Sequence, residues 1–181
     1  RFALAGLGLG GAVALEILRR APDRLTRLAL IDASPLAETP QTAAAREMLI
    51  VKVKSGRLAD AMREELDPLW LAPGPNRAAI LEIAMDMADT LGPEVYIRQA
   101  RALQRARDQQ AVLRKCKVPT LVMCGEVGKL NPVKRHSFMA ELLPYAILRV
   151  IEGAGHLPTL EQPEATTAAI KEWMKMPLTP A

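Results

Sequence analysis

Aromatic side chains are scarce, at 3% of 181 residues, so the interior has to be packed from Leu, Ile, Val, Ala and the eight methionines, whose unbranched thioethers fill irregular space. Cysteine is scarcer still. Cys116 and Cys124 stand at a spacing that makes neither a metal motif nor a secreted disulfide framework; Cys124 ends an apolar run and reads as a small buried hydrophobe, and a cytoplasmic setting is the default. No apolar stretch reaches about 18 residues and no charged start precedes a cleavable hydrophobic leader, so nothing here is expected to span a membrane. Long runs of one charge are missing too. The net charge is +4 and the longest basic cluster is Arg114-Lys115 with Lys117, without interleaved aromatics, which argues against a nucleic-acid partner. There is also no initiator methionine: the chain opens Arg1-Phe2-Ala3-Leu4-Ala5 directly into an apolar run, which reads as cut from something longer.

What is present suits one globular domain, with 50% hydrophobic and 24% charged residues. Residues 2–5 form a short apolar run ending at Gly6, and Ala12, Val13, Leu15, Ile17 and Leu18 continue as a helix that stops near Ala21-Pro22. Leu28-Ala-Leu-Ile31, ending at Asp32, has the unbroken hydrophobicity of a parallel strand buried on both faces. Residues 1–35 therefore predict a βαβ unit. From 36 to 114 the period is helical, with segments at 43–53, 58–71, 77–91 and 94–107 punctuated by Gly56, Pro73-Gly74-Pro75 and Gly92-Pro93. Residues 115–181 return to alternation: a strand over 118–124, Asn131 as N-cap and Pro132 as first residue of a helix over 132–143, a strand over 146–151, and a last helix over 163–176. The expectation is an α/β fold with a parallel sheet of about four strands flanked by helices, and an inserted helical cap at 36–114.

The stretch Gly6-Leu-Gly8-Leu-Gly10-Gly11 lies between strand and helix and has two readings. As Gly6-x-Gly8-x-x-Gly11 it satisfies a dinucleotide fingerprint, and Asp32, 21 residues after Gly11, falls where a ribose-binding carboxylate would sit. As Gly6-x-x-x-Gly10 with Gly8 in the centre it is a nucleophile elbow whose serine has become glycine.

The later chain bears on the choice. Pro119-Thr-Leu-Val-Met-Cys-Gly125, Leu130-x-Pro132 and Ile151-Glu-Gly-Ala-Gly-His156-Leu-Pro-Thr-Leu-Glu-Gln-Pro163 resemble the last two strands and the histidine loop of the α/β-hydrolase family, and APDRLTRLALIDASP resembles the segment after its elbow helix. The resemblance implies a partial α/β-hydrolase fold, from the elbow strand onward, and hydrolysis of a small ester, lactone or similar acyl substrate through a covalent intermediate, with no metal or other cofactor.

Carried over residue by residue, His156 occupies the family's histidine position, on the Gly153-Ala154-Gly155 loop. Gly8 occupies the nucleophile position and Gly128, in a register pinned by Leu130 and Pro132, the acid position; neither carries a side chain. Ser34, Ser55 and Ser137 lie outside any elbow, and Glu126 is two residues early. Asp32, after the preceding strand, is the preferred substitute acid, with a strand-end residue capping nearby backbone as its alternative. The amide of Leu9 supplies one half of an oxyanion hole; the other half belongs in the family to a loop upstream of Arg1. Met48, Met62, Met85, Met87 and Trp70 either line a pocket for a small apolar acyl-type ligand or are simply helix packing. Without earlier strands, Phe2–Ala5 would be an exposed apolar edge open to self-association. The functional expectation is a hydrolase-family protein impaired at two triad positions, with a non-catalytic ligand-binding or interaction protein and a nucleotide-dependent enzyme as alternatives.

Overall fold

A computed structural model describes residues 1–66 and 70–178. Four strands, β1 (Phe2–Leu7), β2 (Leu25–Ile31), β3 (Thr120–Gly125) and β4 (Ala146–Ile151), form a parallel sheet in the order β1-β2-β3-β4. Helix α1 (Leu9–Arg20) connects β1 to β2; α2 (Pro40–Lys54), α3 (Leu58–Glu65), α4 (Arg77–Leu91), α5 (Pro93–Gln104) and α6 (Gln110–Arg114) lie between β2 and β3; α7 (Val133–Leu142) connects β3 to β4; and α8 (Pro158–Glu161) and α9 (Pro163–Lys175) follow.

The inner strands show why this sequence makes a two-faced sheet. Side chains alternate across a strand, and in β2 Leu28 and Leu30 join Leu15, Leu18 and Met139 on the face covered by α1 and α7, while Ala29 and Ile31 join Ala169 and Trp173 of α9 on the other. In β3, Val122 belongs to the first cluster and Leu121 and Met123 to the second. All of β3 is buried. Each large apolar side chain so placed contributes roughly 1.5–3 kcal/mol relative to exposure, and both faces need covering, which is why these runs read as continuously hydrophobic. The outer β1 is different: Phe2, Ala3 and Ala5 are exposed.

Several boundaries depart from the sequence reading. Strand β3 starts at Thr120 rather than 118, since Pro119 has no N–H for the ladder and offers only its carbonyl, to Leu28 N (3.1 Å) and Trp173 Nε1 (3.1 Å). Of the helix predicted over 58–71, α3 ends at Glu65, and residues 67–69 lie outside the described residues. Asn131 is not an N-cap. Helix α7 begins at Val133 with Pro132 as its flanking residue and no side-chain cap, because Asn131 is buried and spends its amide on Asp32.

The registers Leu7↔Ile31 and Gly125↔Ile151 align the carboxyl ends of all four strands at one edge. The loops carrying Gly8, Asp32, Gly128 and His156 leave from that edge, where ligands of open α/β sheets bind. No helix among the described residues is long and apolar enough to cross a membrane.

Candidate active site

The turn after β1 is tight enough to exclude side chains. A Cβ on Gly6 would lie 2.1 Å from Gly10 O, so the strand end and the start of α1 meet backbone to backbone. Gly8 donates to Ile31 O (3.0 Å), receives Gly11 N (3.0 Å) and sits at φ 53, ψ −115. That φ strains any L side chain by roughly 1–3 kcal/mol. A Cβ built on Gly8 would stand 3.7 Å from both Nε2 and Cε1 of His156, in ordinary van der Waals contact. Leu9, the first residue of α1, lines the same space.

Asp32 is fully buried at φ 42, in the left-handed region that Asp tolerates better than most residues. Its amide donates to Met123 O (2.8 Å), which fixes the residue at the end of β2. Its Oδ1 accepts from His156 Nδ1 (2.8 Å) and from Asn131 Nδ2 (2.9 Å); the same Asn131 nitrogen reaches Asp32 O (3.0 Å), and Arg135 Nη1 holds Asn131 Oδ1 (2.8 Å). With a carboxylate as acceptor, Nδ1 carries the imidazole proton. Nε2 is then left as a lone-pair acceptor facing Gly8. Asp32 Oδ2 has no partner among the described residues, and a Cβ on Gly128 would lie 3.5 Å from it.

His156 is positioned through its backbone. Its N–H donates to Trp70 O (2.8 Å), and its ring packs edge-on to the Trp70 indole, centroids 5.9 Å apart at 74°. The loop before it is pinned: a Cβ on Gly155 would meet Trp70 O at 2.2 Å, so glycine is there for close approach. Glu126 faces elsewhere, accepting from Gly153 N (3.3 Å).

These residues border a cavity of about 1160 Å³ between the strand ends and the helices from α2 to α5. Met62, Met87 and Trp70 line it; Met48 does not and is 69% exposed, and Met85 is also outside the lining. Ser34 lines it, with its hydroxyl accepting from Leu36 N (3.2 Å), whereas the Ser55 hydroxyl donates to Lys52 O (2.7 Å). Neither hydroxyl is bonded to His156. Deeper in the wall Arg46 bridges Glu38 (2.7 Å) and Glu65 (3.0 Å), and burial drives the nearby Tyr96 phenol well above its ordinary pKa. Burial, with Asp32 adding to it, also pushes the Cys124 thiol up to about 12. Among the described residues no group of three or more His, Cys, Asp or Glu could hold a metal ion.

Sequence reasoning missed two members of this neighbourhood. Asn131, which orients Asp32, was assigned to a helix cap. His136 was not considered: it is fully buried, its Nδ1 lies 3.3 Å from Pro132 O, its Nε2 has no partner among the described residues, and burial lowers its pKa. Its spacing of three from Met139 on α7 was the available signal that it faces inward.

The model of a family described as "Alpha/beta hydrolase family" matches residues 1–170. A putative carbamate hydrolase RutD of Pseudomonas savastanoi pv. phaseolicola is 31% identical over 161 residues, covering 87% of this chain and 61% of that protein. A pimeloyl-[acyl-carrier protein] methyl ester esterase of Aromatoleum aromaticum is 29% identical over 182 residues, 93% of this chain and 72% of that one. Among solved structures, a malate-bound thermophilic esterase from Thermogutta terrifontis superposes with a TM-score of 0.90 at 29% identity, over 97% of this chain and 65% of its own. The chain thus spans about three-fifths of the length of the first of these relatives.

Proposed function

The chain belongs to the alpha/beta hydrolase family, and on that premise we propose that its site is built to hydrolyse a small ester, lactone or similar acyl substrate but lacks the oxygen that opens the covalent route. One observation carries this reading: the position a Gly8 side chain would occupy faces His156 Nε2 at 3.7 Å. In the family's sequence of steps, a hydroxyl at that position would lose its proton to Nε2 as its oxygen bonds to the acyl carbon. Nε2 would then return the proton to the leaving group, and water would release the acid by the reverse path. Asp32 takes the acid's role in place of Gly128, holding the imidazole with Nδ1 protonated and stabilising the imidazolium that forms. The Leu9 amide contributes one oxyanion donor. With glycine at position 8 no acyl-enzyme forms, while the base, its orienting acid and the cavity remain.

The helical segment between β2 and β3 acts here as the cap, its apolar wall receiving the acyl portion of the substrate. The activities in the relatives' names, carbamate hydrolysis and ester hydrolysis, support an acyl centre as the point of attack. The dinucleotide reading loses its support, since Asp32 is fully buried against His156 and is not free to hold a ribose. The cytoplasmic setting belongs to the same proposal and rests on two cysteines that are both buried and unpaired. The size and apolar walls of the cavity favour a second reading, binding of an acyl ligand without turnover.

The test is a panel of chromogenic short-chain esters offered to the chain, to Gly8→Ser, and to Gly8→Ser with His156→Ala. Hydrolysis by Gly8→Ser alone supports the proposal. Full activity in the unmodified chain would refute the loss of the covalent route, and a folded Gly8→Ser without turnover but with saturable ligand binding would favour the second reading.

A further inference from the structure

Glu161, the last residue of α8, sits five residues after His156 and lies outside the chemistry described above. Its Oε1 accepts from Leu157 N (2.8 Å), and its Oε2 accepts from both Gly155 N (2.8 Å) and Ala72 N (2.6 Å). The two residues flanking His156 are therefore held by the two oxygens of one carboxylate. The third amide comes from the segment that precedes α4. Local capping of a short helix accounts for the bond to Leu157, but it accounts for neither Gly155, outside the helix, nor Ala72, 89 residues away in sequence. The same segment returns a contact, since Trp70 O accepts from His156 N and Gly155 has no room for a side chain beneath it.

We infer that Glu161 is a positioning residue that aims the His156 imidazole at Asp32 and Gly8 and makes that aim conditional on the seating of residues 70–72. A carboxylate suits the task because both of its oxygens accept, so donors on two sides are satisfied together. The isosteric amide keeps one acceptor oxygen and turns an NH₂ toward an N–H on the other side, so it can hold one flank of the histidine but not both. Loss of the latch leaves Asp32, with its own ties to Met123 and Asn131, in place, while the imidazole swings away from it. The kinetic consequence rests on the hydrolase reading; the placement of the imidazole does not.

The experiment follows the hydrogen-bonded Nδ1–H proton of His156 by NMR in the chain with Gly8 intact and in Glu161→Gln and Glu161→Ala, with circular dichroism as the check of folding. The inference expects this resonance to broaden or vanish in both variants while the secondary structure is kept. A folded Glu161→Gln whose resonance matches the parent in position and width overturns it, and this variant decides the matter should Glu161→Ala fail to fold. In the Gly8→Ser background, Glu161→Gln is expected to lower kcat by about 100-fold, as a misplacement on the order of 1 Å can do, with KM changed less than about threefold. Unchanged kcat there also overturns the inference. Absence of turnover in Gly8→Ser itself counts against the hydrolase reading alone, because the NMR result still decides the role of Glu161.

Discussion

The loop after β1 and the loop after β3 each carry a glycine at a position we propose for a functional side chain of the family, yet the two replacements differ in consequence. At Gly8 a side chain would have space and a purpose, facing His156 Nε2 at 3.7 Å, and no neighbouring strand offers an atom to the same point. At Gly128 a side chain would arrive 3.5 Å from a carboxylate oxygen that is already there, because Asp32 reaches the imidazole from the end of β2. Adjacent parallel strands end at one edge, so a carboxylate can move from one strand end to the next and keep its partner. A nucleophile cannot, since its aim depends on a single strained turn.

The largest effect is expected from repairing the first loop. Gly8→Ser should raise ester hydrolysis by at least about 10³-fold over the unmodified chain, given that losing the serine of a triad costs on the order of 10⁶ in kcat. It should also lower stability by roughly 1–3 kcal/mol, the strain of a side chain at φ 53. Ester turnover and chemical denaturation of the same preparation measure both, and a gain in stability with no gain in rate would break the comparison.

The second loop is tested in that active background. Asp32→Asn keeps the shape and tolerates the positive φ, but it presents the wrong hydrogen-bonding group to Nδ1, and kcat should fall on the order of 10⁴-fold. Gly128→Asp should bring no gain while Asp32 remains. Two carboxylates would crowd one site, and the protein should lose on the order of 1–4 kcal/mol or take up a proton there. Combined with Asp32→Asn, the same Gly128→Asp should recover part of the lost activity. Steady-state kinetics of the three variants decide whether one carboxylate is enough.

Much of the fold was legible because burial on two faces writes itself as continuous apolar runs, as in Leu28–Ile31 and Leu121–Cys124. The helical period of α2 to α5 was equally plain, but their ends were not, since tertiary contacts decide where such helices stop. At the site, the positions of Gly8, Gly128 and His156 came from the resemblance of their motifs to the family, not from composition or period. The bond between Asp32 and His156 spans 124 residues and the clamp of Glu161 on Ala72 spans 89; no local pattern encodes either. Asn131 was misassigned because an Asn before Pro is a good cap signal, and only the fold reveals that Asp32 claims its amide.

His136 sharpens the contrast between the loops by testing how tightly the Gly128 side is closed. Burial lowers its pKa below the usual value of 6.5, against the pull of Asp32 and with Arg135 and His156 adding to the lowering. A depressed base binds fewer protons folded than unfolded, so the native state should lose stability as pH falls from 6.5 toward the lowered value, and hold it above 6.5. Urea midpoints between pH 7 and pH 5 should fall, and His136→Gln should flatten the slope. A midpoint independent of pH in the unmodified chain would mean that water reaches this side of the sheet.

The smallest effect belongs to Glu126, the carboxylate nearest in sequence to the acid position. Its side chain accepts from Gly153 N at 3.3 Å, a long bond at an exposed site, and the structure gives it no bond to His156. Glu126→Gln in the Gly8→Ser background should leave kcat within about twofold and change stability by less than about 0.5 kcal/mol, the usual range of surface substitutions. A loss comparable to that of Asp32→Asn would transfer the acid's role to Glu126. The acid would then have stayed on the end of β3 and moved by two residues, rather than crossing to the end of β2.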